Sequence, residues 1–126
     1  MILRPLILAA ALVLPPAAQA QIRTPGYVDP YPVESLARVM GEMHYLAFAC
    51  EGRDAQSWRD AMLELLDHEA PTRGAYRQRL IDRFNDGFRR LERQRPRCGA
   101  EAEMITQRLA DEGQALSEQL RRTYLE

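Results

Sequence analysis

Between residues 33 and 125 the apolar side chains recur at spacings of three and four, and no stretch alternates as a half-buried strand would. A chain with that period must bury helix stripes against one another. Four segments carry the pattern. In the first, 34–50, the stripe is Leu36, Val39/Met40, Met43, Leu46/Ala47 and Cys50, and Gly52 stands where a helix end accepts glycine. The second, 58–69, has Trp58, Ala61/Met62 and Leu65/Leu66, with Ser57 and Asp60 as a capping pair, and Pro71 ends it. The third, 73–94, is capped by Thr72 and presents Tyr76, Leu80, Phe84, Phe88 and Leu91; Gly87 on that face predicts a close helix approach, and Pro96 stops the segment. The fourth, 100–124, keeps a seam of Ala102, Ile105, Leu109, Gly113, Leu116, Leu120 and Tyr124. Four amphipathic helices with short connections predict an all-α fold, an antiparallel up-down-up-down four-helix bundle over residues 33–126.

The residues before this domain read as an address. Met1–Ala20 begins with an amine and Arg4, continues with an apolar run from Leu6 to Leu14 broken by Pro15 and Pro16, and ends Ala18-Gln19-Ala20. That order is a secretory signal peptide cleaved before Gln21, and the run is shorter than the ~20 residues that cross a bilayer. Residues 21–32, with Pro25, Gly26, Pro30 and Pro32, read as an extended lead-in. The expected location is therefore periplasmic or secreted, with no transmembrane segment in the mature chain.

Export gives the two cysteines, Cys50 and Cys98, an oxidising setting in which pairing is the default. A redox-active pair lacks CxxC spacing, and metal ligation lacks companions. In an up-down-up-down bundle the end of the first helix and the start of the fourth share a pole, so a disulfide there is geometrically natural.

Several short runs act together: Gly41-Glu42-Met43-His44-Tyr45-Leu46, Cys50-Glu51, Trp58-Arg59-Asp60-Ala61-Met62, Arg79-Leu80, Phe84-Asn85-Asp86-Gly87-Phe88-Arg89 and Cys98. As a set they resemble a family of small secreted alphaproteobacterial proteins of unknown function, over about residues 33–125. The family pattern has Tyr where this chain has Phe88, a change that leaves packing intact. The resemblance implies an exported two-cysteine protein and transfers no catalytic residue.

Catalytic signatures are missing from the sequence. Ser35, Ser57 and Ser117 stand outside any GxSxG, and neither HExxH nor CxxCH occurs. Bundle metal sites use Glu-x-x-His pairs, but Gly41 and Leu65 precede His44 and His68 by three. The chain contains no Lys, which excludes Schiff-base and P-loop lysine chemistry. No metal, no cofactor and no enzymatic activity are expected. His68, one turn after Glu64, suits a helix C-terminus. His44 lies beside the apolar stripe and is expected to be hydrogen-bonded inside the bundle; with Arg59, Glu69 and Asn85 it is a candidate polar inter-helix cluster.

Charge carries the strongest functional signal. Residues 72–97 hold nine Arg against three acids, net +6, whereas the rest of residues 21–126 holds seven Arg against 15 acids, net −8. At about 100° per residue, Arg79, Arg83, Arg90 and Arg97 share one flank of the third helix, with Arg93 close by. Three uses suit that flank: pairing with acids of the fourth helix such as Glu101, Glu103, Asp111 and Glu112, a solvated face, or a binding face for acidic partners. The expected function is an interaction or structural module with a protein partner. The alternative is a binder of anionic envelope polymer or lipid; nucleic acid is not expected, and an enzyme of unrecognised chemistry is a third class.

Overall fold

The computed structural model describes residues 32–125. It contains four α-helices, α1 (Pro32–Glu51), α2 (Ser57–Glu69), α3 (Ala75–Gln94) and α4 (Ala100–Leu125), and no strand among the described residues. The segment expected to be a signal peptide, 1–20, and residues 21–31 of the expected lead-in lie outside the described residues.

Contacts fix the directions. Leu66, late in α2, and Ala70, just past its end, join Val33 and Ala37 from the start of α1, so these two helices run antiparallel. Glu34 meets Arg79 at one end of α3 and Tyr45 meets Phe88 further along, so α1 and α3 run parallel. In α4, Ala102 and Leu109 pack with Met43 and Leu46, while Leu120 reaches the cluster around Val33. The result is the expected all-α, up-down-up-down four-helix arrangement with one disulfide.

The packing is centred on α1. It touches each of the other helices, whereas among the described residues no Cα of α4 comes within 8 Å of one in α2 or α3. Two glycines explain why the parallel pair α1 and α3 is so close. A Cβ on Gly41 would sit 1.9 Å from the Phe84 carbonyl oxygen, and one on Gly87 would sit 2.1 Å from that of Arg38. Each glycine thus lets the other helix's backbone occupy the space of its missing side chain. The close approach expected at Gly87 is present, and Gly41 is its counterpart.

Helix boundaries differ from the sequence expectation in three places. Pro32 opens α1 and is buried; the first helical position has no intrahelical partner for an N–H, so proline costs nothing there. Ser57 is the first residue of α2 and not its cap; Gln56 precedes it with no side-chain capping bond, and its Nε2 donates to the Arg53 carbonyl at 2.7 Å. Thr72 does not cap α3, which begins at Ala75 after an extended Gly74. At the other end Arg95 adopts φ 47°, its N–H donates to the Leu91 carbonyl, and Pro96 follows.

Candidate functional site

The α1/α3 crossing determines what the arginine flank can reach. Because the backbone of α3 approaches that of α1 and not that of α4, Glu34 and Glu42 of α1 are within reach of its arginines. Arg79 Nε donates to Glu34 Oε1 at 3.0 Å, and its guanidinium lies 5.5 Å from the Tyr76 ring centre. Arg83 pairs within α3, with Asp86 at 3.2 Å. Arg90 lies 3.9 Å from Glu42. Arg93 and Arg97 are exposed, and their guanidinium groups form no ion pair among the described residues; the backbone N–H of Arg97 donates to Glu101 at the start of α4. The same holds for Arg89, one turn before Arg93.

A charge cluster that sequence reasoning did not single out lies beneath this flank. Glu42 is 3% exposed, in the middle of α1. A buried carboxylate is costly unless paired. Here Arg38 supplies the pairing, with one terminal nitrogen 2.5 Å from Glu42 and the other bonded to Glu112 of α4. Burial alone would lower the Arg38 pKa, but the bonds and charges of the two glutamates outweigh it and hold the pKa above its ordinary value. The available signal was the Arg38/Glu42 spacing of four, one step off the apolar stripe. Arg38, Glu42 and Glu112 share a cleft of about 250 Å³ with Arg90, Gln94 and Arg108.

His44 occupies a different setting from the one expected. It is 8% exposed, and its ring lies 5.6 Å from Phe84, 5.5 Å from Phe88 and 6.4 Å from Phe48. Its Nδ1 is buried with no hydrogen-bond partner among the described residues. Burial pushes the His44 pKa down, and the positive charge of Arg59 pushes it further in the same direction. Of the other cluster candidates, Arg59 is exposed on α2, Glu69 is half-buried at the end of α2, and Asn85 is exposed on α3.

At the far pole Cys50 and Cys98 are joined, with Cα atoms 5.5 Å apart. They adjoin a groove of about 570 Å³ lined by Met43, Leu46, Trp58 and Ala102. Trp58 packs against both halves of the core from its edge. Among the described residues, no group of three or more His, Cys, Asp or Glu is placed to hold a metal ion, and no helix is long and apolar enough to cross a membrane.

One protein family, described as "Protein of unknown function (DUF2385)", matches residues 30–124. The chain belongs to that family. The match spans all four helices and both cysteines, so the α1/α3 crossing and the disulfide pole both fall inside the DUF2385 region. No curated protein and no solved structure matches the chain.

Proposed function

We propose that this DUF2385 protein is exported and acts by binding: the outward face of α3 docks an acidic segment of a protein partner. The observation that carries the reading is the set Arg89, Arg93 and Arg97, exposed on or just past α3 with no internal counter-charge among the described residues. The acids of α4 that sequence reasoning offered as neutralising partners are engaged elsewhere at two points: Glu112 with Arg38, and Glu101 with the Arg97 backbone. Guanidinium groups held on a rigid helix suit carboxylates, which they bind in bidentate fashion. The disulfide and the signal-like first twenty residues support export to an oxidising compartment. Binding is favoured over catalysis because the buried imidazole of His44 faces phenylalanine rings and not a nucleophile.

A Lys-free chain offers amine-reactive crosslinkers no side chain, so the test uses a photo-crosslinking residue at position 89 in the native envelope. The expected outcome is an adduct with a discrete acidic protein. It should weaken steeply with salt and disappear when Arg93 and Arg97 are both changed to Glu. An adduct indifferent to salt and to charge reversal overturns the reading, and adducts confined to wall polymer or lipid replace the protein partner with the anionic envelope.

A further inference from the structure

The cleft between α1, α3 and α4 has a charge arrangement that internal pairing does not satisfy. Three guanidinium groups, from Arg38, Arg90 and Arg108, face two carboxylates, Glu42 and Glu112. Both carboxylates accept from the same arginine, Arg38. Arg90 stands 3.9 Å from Glu42, within Coulombic range but beyond a hydrogen bond, and its side chain is 57% exposed. Arg108 is exposed on α4 and forms no ion pair among the described residues. Two arginines on opposite walls therefore keep N–H donors free, over a floor that includes Leu91 and Leu109, each 1% exposed.

We infer that this cleft binds the anionic head of a small ligand, a carboxylate or phosphate group, held between Arg90 of α3 and Arg108 of α4 with the Gln94 amide at the rim. The volume, about 250 Å³, suits one such group and lies below the ~300–1,000 Å³ usual for drug-sized ligands. The surplus positive charge selects an anion over a cation. Arg38 engages one oxygen of each glutamate, so the two carboxylates are held to α1 and the cleft keeps one positive charge in excess. The guest would also connect α3 to α4, whose backbones do not otherwise approach one another. Binding should therefore stabilise the native arrangement by mass action. The site is separate from the outer face of α3, since Arg89, Arg93 and Arg97 do not line it.

The test is thermal unfolding of the disulfide-bonded chain in inorganic phosphate and, separately, in succinate, at an ionic strength held constant with chloride. The expected result is a saturable rise in midpoint with at least one of the two. Phosphate alone marks a phosphate-class guest, and succinate alone marks a carboxylate. Arg108→Gln and Arg90→Gln should each weaken the apparent affinity roughly tenfold, the loss expected for one charged hydrogen-bond donor. Arg93→Gln, outside the cleft, should leave the response intact. Since Arg90 and Arg108 are exposed, both variants should keep the helical circular-dichroism spectrum of the parent. Amide and guanidinium shifts in NMR titrations should move at Arg90, Gln94 and Arg108. A midpoint that rises equally in chloride, or equally in Arg108→Gln, overturns the inference.

Discussion

His44 is a basic side chain inside an apolar cage. Its neighbours are Phe48, Phe84 and Phe88, none of which titrates, and the charge acting on it is the cation of Arg59. Both burial and that cation favour the neutral ring, so the folded pKa lies below the ordinary value of 6.5. The sign follows from linkage. At pH above 6.5 neither folded nor unfolded chains hold the proton, and the full stability is present. As pH falls below 6.5 the unfolded chain takes up a proton that the folded chain refuses, and stability is lost until the folded pKa is reached. His44→Phe removes the titrating group and completes the aromatic cluster. Urea unfolding of parent and variant at pH 7.5 and pH 5.0 should show the variant's advantage growing towards the acid side; an advantage that is the same at both pH values would count against the caged-imidazole account. The sequence placed His44 beside an apolar stripe correctly, but it could not show which helix would cover it. Three phenylalanines from two helices converge only because α3 lies against α1.

That convergence is a property of the pair of elements. Gly41 and Gly87 each meet a backbone carbonyl of the opposite helix, so neither position tolerates even a methyl group without separating α1 from α3. Gly41→Ala and Gly87→Ala should each cost on the order of 3 kcal/mol, the upper part of the range for overpacking a well-filled interior. Gly113 of α4 is the control: a Cβ there would lie 3.5 Å from the Val39 side chain, an ordinary contact. Gly113→Ala should be neutral or stabilise by up to about 1 kcal/mol, the gain in helix propensity. Chemical denaturation of the three variants checks the ordering, and a Gly41→Ala protein as stable as Gly113→Ala would mean the crossing is looser than drawn. The four elements were legible from apolar spacing, and Gly87 was legible because it interrupts the stripe of Leu80, Phe84 and Leu91. The starts of α2 and α3 were not. Ser57 and Thr72 have the chemistry of caps, but Gln56 precedes α2 and the extended Gly74 precedes α3, so the turns and not the hydroxyls set those boundaries. The sequence left the surroundings of the arginine flank open; with α3 seated on α1, Glu34 pairs with Arg79 and Glu42 lies within ion-pair range of Arg90.

At the scale of the whole molecule the helices are unequally secured. α1 and α3 interlock through backbone contacts, whereas the backbone of α4 approaches that of α1 alone, with Ala102 and Leu109 in one side-chain cluster with Val39, Met43, Leu46 and Leu91, and α4 is tied to the end of α1 by Cys50–Cys98. The two cysteines are 48 residues apart in sequence, so the chain-entropy estimate for the crosslink is about 4 kcal/mol. That is a large share of the ~5–15 kcal/mol typical of small domains. Its removal should not be felt evenly, because local opening follows the weakest set of contacts. In a Cys50→Ser/Cys98→Ser variant, hydrogen exchange should accelerate most along α4, while amides of α1 and α3 around the glycine crossing keep the greater part of their protection. The cleft formed by Arg90 and Arg108 would open with α4, so the same variant should also lose any phosphate- or succinate-dependent rise in melting temperature even though both arginines are intact. Equal acceleration in all four helices would make the protein a single cooperative unit and remove α4 as its detachable wall. The disulfide would then stabilise the fold as a whole without holding the cleft in shape.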